Sequence, residues 1–497
     1  MLFLMFSQIF FCLYILYSPF AHTHNMFGSW GIKRGKTPGG TPDFAGKRGE
    51  ISRKKIEDIF SDCADLCLRE VLPAGGGAAV WAVWIEGLAS SATVTDTVVR
   101  PLSRLTLPED PWAAMEAVAR GGVYNCYVKR HTIINSICTD LTMGCTALIF
   151  EGAGAALSFE TRSGDTRSVQ QPTVEKSVLG AKDSFVENYR VNTALVRRQL
   201  RCPELKLFQT GIGRRSGTPV GLMYLSSVAK PDLVAEIKRR LEAIDIDGFT
   251  AAGDLEQYLA DRPGSLFPRV GHTERPDRFA RALLQGRVGL LVDGLPVGFL
   301  LPCTLPELMR VAEDRSRHAA VASALLLVRW GAMALSLLLP GLYTAVGMYH
   351  PEMIPLPLLH SVIAAKQQVP FTVAAEVLGM LLTFELLQEA GLRLPDPVGQ
   401  TVSIIGALIV GQSAVEARVI SPIAVIAVAL SGIGGYTQPS QELGAALRLW
   451  RAILTLCAVV LGIYGLAAGL LVLLWRLCDL SSAGLAYLYP LRHGSGP

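Results

Sequence analysis

A two-lobed α/β cytoplasmic domain followed by an all-α polytopic transmembrane domain is the fold class predicted by this sequence of 497 residues. Two observations predict it: charge is spread very unevenly along the chain, and in its charged part short strand-like runs alternate with amphipathic helices. Half of the residues are hydrophobic and only 18% are charged, against roughly 25% in ordinary soluble domains. The net charge of +4 is too small to point to nucleic acid by itself. Ten cysteines are scattered without a CxxC pair or a Cys/His cluster, which excludes a disulfide framework and a recognisable zinc site. No cofactor or metal motif emerges.

The chain opens with an apolar stretch, residues 1–25, which lacks the positive n-region and the A-x-A site of a secretory signal. Because MFGSWGIKRGK starting at Met26 reads as an ordinary start, the stretch is either a mis-assigned start or an extra helix. A first lobe is expected over 26–165. There, Ala79–Ile85 and Thr146–Phe150 have the length and the β-branched or aromatic content of buried strands. The polar stretch Glu160–Ser184 has no clear period and divides this lobe from a second, 185–318. In the second lobe Pro231 and the following DLVAEIKRRLEAI form a helix, as does Arg275–Gly286, closed by its glycine. Val288–Val292 and Leu295–Leu301 flank Asp293-Gly294, a hairpin signal, and Pro296 confines the second strand to an edge or a short stretch.

The transmembrane domain is expected over 323–477 with about 4–6 helical segments, and a short tail over 478–497. The runs Trp330–Tyr349, Pro397–Val415, Val419–Gln441 and Ala452–Trp475 carry no charge, and each approaches or exceeds the roughly 20 residues that cross a bilayer core. Val369–Leu387 is also apolar but holds Glu376 and Glu385, so it crosses, re-enters or lies at the interface. Arg310, Arg315, Arg317 and Arg329 precede or open the first run, while Tyr349–Leu359 has no Lys or Arg. That asymmetry places the large domain in the cytoplasm. Arg448 and Arg451, ahead of the last run, are expected on the same side, and the side of the C-terminus stays open.

Carboxylates inside apolar runs cost about 2.5–3.5 kcal/mol on the lenient insertion scale and face protein, water or a partner charge. Glu376, Glu385 and Glu389 are therefore candidates for an ion path. On one helix Glu385 and Glu389 share a face and Glu376 lies nearly opposite, so one helix cannot aim all three at one pore. A ring of one of them repeated around an oligomer supplies cation selectivity. The plainer reading pairs Glu389 with Arg393 at the interface, and Glu416 with Arg418 in a loop. Pro340, Gly341, Gly406, Gly411 and Gly432–Gly435 either break helices for gating or let them approach closely. His350 and His360 lack metal spacing. Cys63 and Cys67 share a helix face as packed thiols, and Gly211–Gly217 reads as a basic loop rather than a phosphate cradle. Among motifs contiguous in sequence no nucleophile–base pair, P-loop or metal site stands out, so an enzyme is not expected.

Several ordered motifs resemble those of the GerA spore germination family, specifically the A subunit of nutrient germinant receptors. In the soluble part these are SFVENYRVNTALVRRQL (Ser184–Leu200) and FPRVGHTERPDRFARALLQGRVGLLVDGLP (Phe267–Pro296), with Thr273, Glu274, Arg275, Pro276 and Asp277 the most distinctive block. In the membrane part they are LLPGLYTAV, HPEMIP, VPF, FELLQEAGLRLP, GQSAVEARVISP and, after it, LSSAGLAYLYP. The chain departs from the family pattern at Arg315-Ser316, where tyrosines are usual, at Gln388, where arginine is common, and in its short tail.

The resemblance implies a multi-pass subunit in the inner membrane of bacterial spores, working with a transporter-like B subunit and a lipoprotein C subunit. It implies a homo-oligomer forming a nutrient-gated ion channel that releases monovalent cations, in contact with membrane lipid and not with nucleic acid. A non-conducting scaffold subunit, or a paralogue that works with the dipicolinate-release machinery, is the alternative. By itself, the T-E-R-P-D block reads as a helix start capped by Thr273, with Arg275 and Asp277 free to contact the membrane part.

Overall fold

The computed structural model describes residues 51–74, 77–162, 172, 175, 180–249, 252–261, 264–393 and 411–489. The apolar stretch 1–25, Gly406 and most of the expected crossing Pro397–Val415 lie outside them. The chain divides into two compact units, one of residues 1–177, 181–261 and 270–302, the other of 178–180, 262–269 and 303–497.

The first unit is mixed α/β. One five-stranded sheet runs β1 (Leu66–Val71), β2 (Val80–Ile85), β4 (Cys145–Phe150), β5 (Ala156–Glu160), β3 (Val128–His131). The other runs β6 (Leu205–Ile212), β7 (Thr218–Leu225), β9 (Val288–Val292), β10 (Gly298–Leu301), β8 (Gly271–Thr273). The ladders described within both sheets are antiparallel. Alternation of strands and helices therefore builds hairpins rather than parallel crossovers. Both runs read as buried strands are strands, and β4 is buried along its whole length. Helices α1 (Ile134–Thr142), α2 (Tyr189–Gln199), α3 (Pro231–Glu242) and α4 (Pro276–Leu284) bury apolar stripes.

The Asp293-Gly294 turn forms as expected, with Gly294 at φ +84°. Besides reversing the chain, it reaches a neighbouring helix. Asp293 Oδ1 accepts from the Tyr189 amide at 3.0 Å, and the Gly294 amide donates to the Glu187 carbonyl at 2.8 Å. The turn thus helps to cap α2, whose own N-cap Asn188 accepts from the Arg190 and Val191 amides. Pro296 stays outside β10, which is short and is covered on its far side by β8. Gly211–Gly217 is the β6–β7 turn, where Arg214 pairs with Asp245. Cys67 lies on β1, and Cys63 precedes it in an isolated bridge to β6. The expectation of a shared helix face is thereby corrected, because the strand begins between them.

The two sheets of this unit are locked through residues 62–65. The Ala64 amide donates to the Leu207 carbonyl and the Leu207 amide to that of Asp62. Lys238 and the Tyr224 hydroxyl both reach Asp62 Oδ2, at 2.8 and 3.0 Å. The Lys238 hydrogen bond holds the Asp62 carboxyl below its ordinary range. Behind them Arg197 and Asp65, 2% and 1% exposed, form a two-point ion pair, with Nη2 2.7 Å from Oδ1.

At the free edge of the first sheet, His131 is buried against Asp140, Ser136 and Ser158, with Lys129 beyond Asp140. Burial pushes the imidazole below its ordinary value of 6.5, against the pull of Asp140. A depressed histidine contributes stability that is complete above 6.5 and is lost as pH falls through the folded value. The melting temperature of the chain is expected to drop below pH 6.5, and His131→Asn is expected to flatten that part of the profile. Parallel profiles for the two proteins would contradict this.

The second unit is helical: α5 (Ala319–Tyr349), α6 (Leu356–Lys366), α7 (Val373–Arg393), α8 (Pro422–Tyr436) and α9 (Gln441–Asp479). Among the described residues, α5 and α9 are long and apolar enough to cross a membrane. Pro340 does not break α5, which runs unbroken for 31 residues. The break falls instead at Gly462, with φ +61° and ψ −139°, a conformation open essentially to glycine alone. A Cβ at Gly341 would stand 2.9 Å from Leu466 Cδ1 and 3.4 Å from the Leu454 carbonyl oxygen. Those two residues would be about 18 Å apart along a straight helix. A Cβ at Gly465 would collide with the Cys457 carbonyl, and one at Gly469 would lie 2.7 Å from Leu454 Cδ2. The element is therefore a helical hairpin with arms 441–461 and 463–479.

This corrects the reading of Ala452–Trp475 as one crossing: hydropathy is continuous through the bend, but the backbone is not. Likewise the run Val419–Gln441 contains a helix of only 15 residues. Gly341, Gly432 and Gly434 are approach points between helices rather than breaks; a Cβ at Gly434 would lie 2.6 Å from the Ala332 carbonyl oxygen on α5.

Candidate functional site

The charged residues of the helical unit were individually visible in the sequence, but their partners were not. Glu376 sits in the first turn of α7 and is 3% exposed. One carboxylate oxygen receives Lys366 Nζ from the end of α6 at 3.1 Å. The other accepts at 2.9 Å from the Ser421 amide, the N-cap of α8. A helix N-terminus favours an anion, so the contact to α8 adds to the ion pair. Apart from this lysine, α6 is weakly held: none of its residues is buried, and Leu356, Leu358 and Ile363 are exposed.

Glu385 lies two to three turns further along α7. It accepts from Arg451 Nη2 at 2.7 Å and faces Arg448 Nε at 3.7 Å. Arg451 is buried on the first arm of α9, and its Nη1 also donates to Ser431 Oγ on α8 at 3.3 Å. Ser431 in turn donates to the Ser336 carbonyl of α5 at 2.7 Å. One chain of polar contacts thus ties together α5, α7, α8 and α9. Arg448 additionally donates to Gln388 Oε1 at 2.6 Å. These two arginines, expected as a flank ahead of the last crossing, are inside a helix that begins at Gln441. Arg451 is a partner within the bundle, not a flanking charge.

Glu389 is exposed one turn beyond Glu385, and the side chain of its expected partner Arg393 lies outside the described residues. Glu376 and Glu385 point to different partners, as their nearly opposite positions on α7 require. Pro340 and Gly341 are buried in the face of α5 that meets the α9 hairpin. His350 caps the end of α5, His360 is exposed on α6, Glu416 is exposed at the end of a helical stretch, and Arg418 lies in the exposed turn that follows it before α8.

The C-terminal segment adds residues whose function sequence reasoning did not single out. A small hairpin of β11 (Ser481–Ser482) and β12 (Leu485–Ala486) follows α9. Ser482 Oγ donates to the Arg269 carbonyl at 2.6 Å and accepts from the Cys303 amide at 2.9 Å. The Leu305 amide donates to the Tyr487 carbonyl at 2.9 Å. Tyr487 is fully buried, with Phe267 beside it, and Phe267 stacks on Trp450. One serine therefore holds residues 269 and 303, which bracket the stretch 270–302 that belongs to the first unit. The β11–β12 segment thus packs against residues 303–305, shortly before α5 starts.

In the first unit the Thr273–Asp277 block forms one connected network, which also takes in Glu175. Arg275, not Thr273, is the N-cap of α4. Thr273 Oγ1 accepts from the Arg275 amide at 3.1 Å and donates to Glu175 at 2.7 Å. Arg275 is 1% exposed and pairs with both oxygens of Asp277, at 2.9 and 2.8 Å. Although burial works to raise it, the Arg275 guanidinium holds the Asp277 carboxyl below its ordinary range. Glu274 contributes its carbonyl, which accepts from the Phe185 amide and the Ser184 hydroxyl. Pro276 opens the helix, where its missing N–H has no cost. The expected cap at Thr273 is corrected by two residues, because the chain is still in β8 there.

The family model described as Bacillus/Clostridium GerA spore germination protein matches residues 54–495. Spore germination protein KA of Bacillus subtilis (strain 168) is 34% identical over 413 residues, 82% of this chain and 75% of that one. Spore germination protein GerLA of Bacillus cereus is 32% identical over 438 residues, 88% and 89% of the two chains. The crystal structure of the N-terminal domain of the A subunit of the Bacillus megaterium spore germinant receptor GerK3 is 28% identical. The match covers 51% of this chain and 94% of that one, with a TM-score of 0.39.

Proposed function

The chain belongs to the GerA family of spore germination proteins, and from that premise we propose that it is the A-type membrane subunit of a nutrient germinant receptor. In this reading copies of the chain assemble in the inner membrane of the spore and form a nutrient-gated path for monovalent cations. A transporter-like B subunit and a lipoprotein C subunit complete the receptor, and the N-terminal unit is cytoplasmic. The proposal rests on the ion pairs set among apolar helices, Glu376 with Lys366 and Glu385 with Arg451, in which Glu376 and Arg451 are buried and their partners partly exposed. Outward, the same helices present Val328, Val460, Tyr464, Leu471 and Trp475 to the surroundings, as helices in lipid do. Each arm of the α9 hairpin is close to the length that crosses a bilayer core.

Glu376 acts in this proposal as a latch. Both of its oxygens are engaged, so in this arrangement it offers no open carboxylate to a passing cation. Breaking the pair with Lys366 frees α6 and exposes the carboxylate in one event. The engaged carboxylates also favour a second reading, a non-conducting scaffold that holds the other subunits. Spores lacking the chain, tested against a panel of nutrients, distinguish the receptor assignment from none. The expected result is loss of response to at least one nutrient, restored by the gene in trans. Normal germination with every nutrient would count against it.

A further inference from the structure

The soluble region holds a group of side chains that ion release does not use. His131 ends β3, Ser136 lies in the first turn of α1, and Asp140 lies one turn further on. The Asp140 carboxylate only accepts, so its 2.8 Å contact with His131 Nε2 puts the imidazole proton on that nitrogen. Nδ1 is left with its lone pair, and Ser136 Oγ stands 2.5 Å from it. The buried Ser158 hydroxyl donates to the same Asp140 oxygen at 2.7 Å and lies 2.8 Å from Nε2. It fixes the carboxylate from the side of β5. Lys129 Nζ is 3.6 Å from the other Asp140 oxygen.

Exposure gives this relay a direction. His131 and Asp140 are buried, whereas Ser136 is only half-buried. The hydroxyl end is thus the more exposed end of the relay. The N-cap of α1 is Ile133, so no side chain caps the helix start beside Ser136.

We propose that Ser136 is a nucleophile, activated by His131 and oriented through it by Asp140, that takes an acyl group from an ester or thioester. The Ser136 Oγ–carbon bond forms as the hydroxyl proton passes to His131 Nδ1. The bond from the acyl carbon to the leaving oxygen or sulfur then breaks, and the leaving group takes that proton from Nδ1. Water then gives a proton to the same nitrogen and attacks the acyl-serine; the bond from the acyl carbon to Oγ breaks, Oγ takes that proton from Nδ1, and the carboxylic acid leaves. His131 is the base, and Asp140 is a positioning residue. Burial keeps the imidazole neutral at pH 7, as a base must be. The three residues lie within ten positions of sequence, yet their spacing matches no contiguous motif, because the strand end at His131 folds back over the helix.

The test uses the full-length chain in lipid nanodiscs, with a fluorophosphonate probe and p-nitrophenyl acetate. The expected result is covalent labelling of Ser136 in peptide mass spectra, absent in Ser136→Ala. His131→Asn is expected to slow labelling at least about 100-fold. Asp140→Asn is expected to slow it and to move the pH at half-maximal rate. Ser136→Ala, at a half-buried position, keeps the fold if His131→Asn does not. Wild-type protein that stays unlabelled while a control serine hydrolase reacts would overturn the proposal, as would equal labelling of Ser136→Ala.

Discussion

Replacing Arg197 by methionine is expected to destabilise the first unit by about 3–5 kcal/mol, because it leaves the Asp65 carboxylate buried without its partner. The pair lies between the two sheets, behind the contacts of residues 62–64 with β6. Loss of the guanidinium therefore acts on the joint between lobes as well as on one helix. A second substitution, Asp65→Leu, is expected to restore most of the stability, since an apolar pair of similar volume removes both charges from the interior. Urea unfolding followed by tryptophan fluorescence, run as a double-mutant cycle, reads the coupling. Additive losses from the two single variants would show that the pair does not hold the lobes together.

Gly469→Cys is expected to form a disulfide with the native Cys457 under mild oxidation, close to completely. A Cβ at position 469 lies 3.6 Å from Cys457 Cβ and 3.5 Å from its sulfur, within the range a disulfide accepts. Along an unbroken helix the two positions would be about 18 Å apart, and no bond could form. The same bend makes Gly465→Val a severe substitution, since its side chain would be driven into the Cys457 carbonyl and would force the arms apart. Mass spectra of oxidised membranes decide the first point. The yield of assembled protein decides the second, and normal accumulation of Gly465→Val would argue for a looser hairpin.

Much of the fold of the first unit was legible in the sequence because its strands are short runs of β-branched and aromatic residues, and its turns carry glycine where φ must be positive. Val288–Val292, Asp293-Gly294 and the helix after Pro231 all follow that logic. What hydropathy could not show was the course of the apolar region. Ala452–Trp475 is uniformly apolar, and one glycine among several decides whether it is one long helix or two short ones. The carboxylates were visible because charge in an apolar run is costly, but Lys366 and Arg451 could be assigned to Glu376 and Glu385 only once the helices were in place. Similarly, the T-E-R-P-D block signalled a helix start, while the identity of the cap depended on where β8 ended. Ser482 and Tyr487 sit in a stretch with no periodicity, so nothing local marked them as the grip on residues 269 and 303.

The proposed cation path, with Glu376 as its latch, has a direct readout in potassium leaving the spore. Release is to be followed at equal protein abundance in the wild type, Glu376→Gln and Lys366→Gln. Both substitutions remove the same ion pair, so both are expected to shift release in the same direction: faster without nutrient, with a weaker nutrient-dependent step. Release kinetics unchanged from wild type in both variants would contradict the latch and leave the pair a purely structural contact.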